Sequence, residues 1–161
     1  MLKILLEKWD KNKDKLRKAL SERKCDYEYK DLVKLTFSVI FNDGENEKDL
    51  DIGRITEIND GDYQGTLLYL IPFDTYQPTQ YEYLMTYVYY GSCCGCDTLQ
   101  SICCDDEDLP NKQQLDDLMI LCKDLITATI KPYNSAWYNN PIFDKVDESE
   151  LKEFDENINL L

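Results

Sequence analysis

Apolar side chains recur at helical intervals over the first forty residues. Leu2, Leu5, Leu6, Trp9, Leu16 and Leu20 fall on one face with lysines between them, which predicts an amphipathic helix with a basic outer side. A second helix is expected to start near Asp26, whose side chain can cap it, and to run to Phe41. Tyr29, Leu32, Val33, Phe37 and Ile40 point inward, and Gly44 lies just past its end. Residues 42–51 read as a polar, acidic connection.

From Ile52 the period shortens to that of strands. Ile55 to Ile58 makes a modest strand, NDGDYQG at 59–65 is rich in turn formers, and TLLYLIPF at 66–73 is an apolar run too short for a typical helix, so a hairpin is predicted. YEYLMTYVYYG at 81–91 supplies a third strand, with Tyr83, Met85, Tyr87 and Tyr89 on one face and Leu84, Thr86, Val88 and Tyr90 on the other. Asp97 and Gln100 are spaced as a capping box, which starts a short helix at Thr98 that ends near Cys104. Asn111 and Gln114 repeat the signal for a long helix that buries Leu115, Leu118, Met119, Cys122, Leu125, Ile126 and Thr129 and stops at Pro132. A short acidic helix is expected from Ser149. The resulting class is α+β: a small antiparallel sheet of about three strands packed against N-terminal helices and a long C-terminal helix. The chain divides into helices over 1–41, strands over 52–91, helices over 97–131 and an acidic tail over 133–161, all within one domain spanning 1–161.

Composition fits this reading. With 161 residues, 43% hydrophobic and 31% charged, the chain lies in the globular range and can bury a core without needing disulfides. No apolar run approaches the roughly eighteen residues needed to span a bilayer, and the start has no continuous apolar leader region. The seven cysteines are therefore expected in a reducing cytoplasm, free or bound to metal.

Charge changes the picture more. The net charge is −14, so nucleic acid and anionic membranes are repelled on average and neither is expected as a direct partner. Residues 1–24 oppose the trend with nine basic and four acidic groups, which concentrates the negative charge in the rest of the chain. Histidine is absent. That excludes Ser-His-Asp and Cys-His catalysis and mixed Cys-His zinc sites. Arginine is confined to Arg17, Arg23 and Arg54, too few to suggest a phosphate-binding cluster. No catalytic signature is found, and a non-enzymatic protein is expected.

Three constellations remain. In Gly91-Ser92-Cys93-Cys94-Gly95-Cys96-Asp97, the C-x-x-C pair Cys93 and Cys96 precedes a predicted helix, a setting that favours thiolate and suits metal or redox work. Cys103, Cys104 and Cys122 could complete a four-thiolate zinc site, although adjacent Cys103 and Cys104 are poorly spaced for one. No cofactor is expected on the leading reading, and zinc on this alternative. The same glycine-rich turn could instead cradle an anion, which suggests sequestration of a nucleotide signal.

The second constellation is acidic: Asp43, Glu45, Glu47, Asp49 and Asp51, then Asp60 and Asp62, then Asp105, Asp106, Glu107 and Asp108, then a group from Asp144 to Glu156. Gathered on one face they would imitate a nucleic-acid backbone and compete for a basic groove. The third is the central run of tyrosines. Strand propensity accounts for about half, and the exposed remainder, with Tyr83, Tyr87 and Tyr89 on one strand face, suits recognition.

The stretches GDYQGTLLYLIPFDTYQP, YVYYGSCCGCDTLQSI and LPNKQQLDDLM resemble a family of small proteins encoded by bacterial phages and prophages, for which no activity is established. The likeness covers roughly residues 55–133 and is carried by the tag Y-G-S-C-x-G-C-D-T-L-Q. A serine often stands in that family where this chain has Cys94, and Cys103 and Cys104 lie outside the tag, which leaves Cys93 and Cys96 as the pair of interest. The resemblance implies a viral accessory protein in the cytoplasm of an infected host cell. The expected function is inhibition of a host defence complex that handles nucleic acid, such as a CRISPR effector or restriction enzyme. The acidic groups and the tyrosines Tyr83, Tyr87 and Tyr89 would form the partner-binding surface.

Overall fold

The computed structural model describes residues 2–103 and 108–129. Helix α1 spans Leu2–Ser21, α2 Tyr29–Ile40, α3 Thr98–Ile102 and α4 Lys112–Thr127; the strands are β1 Thr56–Asn59, β2 Gly65–Pro72 and β3 Tyr83–Tyr90. A single 3-10 turn, Ile52–Arg54, leads into β1. The class is α+β, as the periodicity predicts. The acidic tail, the helix expected from Ser149 and the stop at Pro132 lie outside the described residues.

The sheet is antiparallel in the order β1-β2-β3. Register fixes what each face carries. Tyr69 stands opposite Thr86 and Ile71 opposite Leu84 on one face; on the other, Ile58, Leu68 and Tyr87 form one cross-strand row and Thr56, Leu70 and Met85 the next. Because side chains alternate along a strand, a slip of one residue would exchange the two sets. The first set is fully buried. Gly61 allows the β1–β2 turn, since a side chain there would strike the Gln64 carbonyl.

Among the described residues, helices cover the inner face only. α1 buries Leu5, Trp9, Leu16 and Leu20 and packs on both α2 and α4, while α4 reaches β3. Phe37 and Ile40 of α2 and Leu118, Leu125 and Ile126 of α4 complete the core. Each such side chain contributes about 1.5–3 kcal/mol on burial. One polar contact fastens helix to sheet: the fully buried Thr86 donates its hydroxyl to the Leu125 carbonyl at 2.7 Å, and Thr129 donates to the same oxygen at 2.9 Å. An end carbonyl of α4, which has no partner within the helix, is thereby satisfied.

Three expectations need correction. The second helix starts at Tyr29, with Glu28 at its N-cap position and no side-chain cap; Asp26 stands two positions ahead of the N-cap, where it does not cap the first turn. Cys25 and Cys103 are not free thiols; they form a disulfide with Cα atoms 5.2 Å apart, ordinary spacing for such a bond. The link was illegible because the partners are 78 residues apart and meet only through tertiary packing. Leu121 is buried although it was not assigned to the inner face of the long helix, and Leu115 is only half-buried.

Asp43, just past α2, is not on an open acidic surface either. Its carboxylate meets Lys8 Nζ at 2.6 Å, accepts from the fully buried Asn12 at 3.3 Å, and is itself only 2% exposed. Burial pushes its pKa up. Hydrogen bonds from Lys8, the Glu45 amide and Asn12, with the Lys8 charge, outweigh that and hold it below the usual carboxylate value. A depressed folded-state pKa stabilises above the unfolded value and is lost as pH falls through the folded one. Asp43→Asn is therefore expected to cost about 2 kcal/mol at neutral pH. It should also flatten the acid limb of the stability curve, both read by urea unfolding across pH. Unchanged stability with an unchanged acid limb would contradict the role given to this pair.

Candidate functional site

Two places bring predicted residues together. The first is the outer face of the sheet. Ile58, Leu68, Leu70, Met85, Tyr87 and Tyr89 share it by register and none belongs to the buried core. Tyr89 is 70% exposed and Ile58 45%. Tyr87 and Tyr89 meet edge to face with ring centroids 5.7 Å apart, which holds both rings in fixed orientation. Tyr83 lies on the same face, half-buried. Ile58, Leu68, Leu70 and Met85 are absent from the sequence-based set. β2 is apolar at nearly every position, so alternation gave no contrast by which to find its outer side.

Acidic groups bracket this sheet. Asp60 and Asp62 occupy the turn beside the Thr66–Tyr89 pair, and Asp49, Asp74 and Glu82 gather at the other end. There the Asp74 amide donates to the Asp49 carbonyl at 2.8 Å and the Phe73 amide to the Glu82 carbonyl at 2.9 Å. Several have structural duties. Asp60 accepts the Thr66 amide at 2.5 Å, Asp49 accepts from Asn46 at 3.3 Å, and Glu82 pairs with Lys48 at 2.9 Å. Glu45 is paired with Lys11 of α1, and Asp51 with Arg54. Glu47, Asp62 and Asp74 have no ion pair among the described residues. Asp108 accepts the Cys25 amide through its carbonyl at 3.3 Å, and Asp105, Asp106 and Glu107 lie outside the described residues. The Asp43 side chain turns inward toward Lys8 and Asn12, and the exposed Glu45 pairs with Lys11 of α1.

The second place is the turn after β3. Cys93 and Cys96 are both exposed, with sulfurs 2.8 Å apart. The Cys93 amide donates to the Cys96 sulfur at 3.1 Å, and the Cys96 and Asp97 amides both donate to the Cys93 carbonyl at 2.9 Å. The Cys93 thiol beside it, then the Ser92 hydroxyl and the local amides, lower the Cys96 pKa against a smaller opposing effect of burial. The following helix α3 has only five residues, so these local donors, and not an extended helix dipole, favour the thiolate.

Asp97 anchors the turn from below. It is buried and accepts from the Gly91 amide at 3.0 Å, the Gln100 amide at 2.8 Å and the Tyr29 hydroxyl at 3.1 Å; that hydroxyl in turn accepts the Leu99 amide at 3.1 Å. The cap was legible from sequence; the Tyr29 link was not. Burial first, with the neighbouring carboxylate, pushes the Tyr29 phenol up to about 12, so it remains a donor at neutral pH. Gly91 is required because a side chain there would meet the Cys96 carbonyl oxygen at 2.3 Å.

Among the described residues the wider thiolate set is not assembled, and Cys104 lies outside them. Cys103 is bonded to Cys25, and Cys122 is wholly buried in α4, its thiol pushed up to about 12 by burial. Among the described residues no group of three or more cysteine, aspartate or glutamate side chains is arranged to hold a metal ion. Beside the turn lies a cleft of about 430 Å³, lined by Cys94, Cys96, Ile120 and the carboxylates of Asp97, Asp117 and Asp124. No lysine or arginine among the described residues lines it, a setting that repels phosphate.

Comparison with models of known protein families, with curated proteins and with solved structures finds no match for this chain. No helix among the described residues is long and apolar enough to cross a membrane.

Two outcomes follow. Tyr29→Phe removes one hydrogen bond to a buried carboxylate and the acceptor of a buried amide, and is expected to lower stability by about 2 kcal/mol, read by thermal or urea unfolding; a loss below about 0.5 kcal/mol would contradict the anchoring role. Protein purified without chelator should carry far less than one zinc per chain by elemental mass spectrometry. A full equivalent lost on Cys93→Ser would contradict the absence of a third ligand among the described residues.

Proposed function

We propose that the chain is a non-enzymatic binding protein that docks on a partner through the outer face of its sheet, with acidic groups at both ends of the face selecting a basic surface. The observation that carries this reading is the outer-face cluster in which Ile58, Tyr87 and Tyr89 are exposed beside the half-buried Leu68, Leu70 and Met85, none of them part of the core among the described residues. Contiguous apolar surface of this kind is unusual on a protein that acts alone, and tyrosines supply large contact area with little entropy to lose. The negative charge steers and orients; apolar burial holds. Glu47, Asp62 and Asp74 are the carboxylates left for that role among the described residues.

The partner that fits is a protein with a basic, nucleic-acid-binding groove, because only such a target gains from both features together. The tag around Gly91 to Gln100 adds the expectation of a phage accessory protein acting in the infected cell, and inhibition of a host defence complex is the corresponding biological role.

Tyr87→Ser combined with Tyr89→Ser changes exposed positions and should leave the fold intact. Wild-type protein immobilised in host lysate is expected to retain a nucleic-acid-handling complex and, when pure, to inhibit it. The double variant should bind that complex about tenfold or more weakly, and raising salt from about 0.05 to 0.5 M should weaken the wild type likewise. Equal binding by both proteins, or indifference to salt, would remove the proposal.

A further inference from the structure

The turn at 91–97 carries chemistry that docking does not use. The geometry points to Cys93 and Cys96 as a two-electron dithiol couple that exchanges with small-molecule disulfides, Cys96 attacking and Cys93 resolving. The two sulfurs are 2.8 Å apart and both are exposed, while a disulfide bond is about 2 Å long, so closing the bond requires less than 1 Å of approach. The backbone is already shaped for it. Gly91 allows the chain to press against Cys96, Asp97 holds the amides of Gly91 and Gln100, and the Cys93 carbonyl takes two successive amides of the turn.

The roles of the two sulfurs follow from their neighbours. Cys96 accepts the Cys93 amide at 3.1 Å, lies 2.8 Å from the Cys93 sulfur and 3.8 Å from the Ser92 hydroxyl, and as a thiol donates to the Cys93 carbonyl at 3.3 Å. The amide points its N–H at the Cys96 sulfur, which assigns the attacking role to Cys96. Cys94 stands between them in sequence and lines the adjacent cleft, and a sulfur–sulfur contact joins Cys93 and Cys96.

The exchange proceeds in two displacements. The Cys96 thiolate attacks one sulfur of a disulfide R-S-S-R, forming a Cys96-S-S-R bond and releasing R-S⁻, which takes a proton from water. Cys93 then loses its proton to water and attacks the Cys96 sulfur, closing the Cys93-Cys96 bond and releasing the second R-S⁻, protonated in turn. Two protein thiols are oxidised by two electrons and one disulfide is reduced to two thiols.

The test uses the full chain, reduced and then placed in oxidised glutathione buffers, quenched by alkylation and mapped by peptide mass spectrometry. Wild type is expected to give a Cys93-Cys96 bridge, and Cys94→Ser the same bridge. Without its resolving partner, Cys93→Ser should accumulate one glutathione on Cys96. That adduct should form about tenfold faster than the adduct on Cys93 in Cys96→Ser. Circular dichroism checks each variant, and if Cys93→Ser fails to fold, the wild-type and Cys94→Ser bridge maps decide alone. Thiols that stay alkylatable while a free dithiol control is oxidised, a bridge through Cys94, or equal adduct rates in the two single variants would overturn the proposal.

Discussion

One-sided cover of the sheet governs the rest of this structure. β2 is apolar on both faces, with Tyr69 and Ile71 on one and Leu68 and Leu70 on the other, yet only the first pair is fully buried, on the side where Thr86 meets α4 and α4 carries α1 and α2. The helices are committed there. α1 packs simultaneously on α2 and α4, and Thr86 ties β3 to the last turn of α4. The inner face thus gains most of the hydrophobic stabilisation, and the outer face keeps a row of apolar and aromatic groups that none of the described helices buries.

Charge is arranged around that commitment. The basic first helix and the acidic remainder could have been two opposed fields; instead Lys8, Lys11 and Arg17 reach Asp43, Glu45 and Asp116 across elements. Exposed pairs such as Lys11 with Glu45 are each worth little. The part-buried pair of Lys8 with Asp43 is worth more because removal of either member strands the other. Internal pairing takes acids out of the recognition set, and those that remain near the sheet are fewer than the composition suggests. Electrostatics on this molecule therefore orient a contact whose strength comes from the apolar face.

Much of the fold was legible because its signals are local. The caps at Asp97 and Asn111, the strand alternation in 83–90 and the helical stripes of α1 and α4 each depend on residues within a few positions of one another, and each appears where the pattern puts it. What stayed hidden is non-local. The Cys25–Cys103 bond, the Tyr29–Asp97 hydrogen bond and the Lys8–Asp43 pair join segments 78, 68 and 35 residues apart, and nothing in the spacing of one partner reports the other. The docking face was half legible: Tyr87 and Tyr89 alternate against Thr86 and Val88, whereas Leu68 and Leu70 sit in a run without polar contrast. The acidic set was over-read, since composition counts carboxylates without showing which ones are already paired.

Oxidative footprinting of the full chain tests the central claim most directly, because Met85, Tyr87 and Tyr89 report the outer face and Met119 and Trp9 the interior in one experiment. The account predicts ready oxidation of Met85, Tyr87 and Tyr89 in the isolated protein and their selective protection once the host complex is bound. Protection already complete in the isolated chain, or a partner footprint confined to the helices, would contradict it.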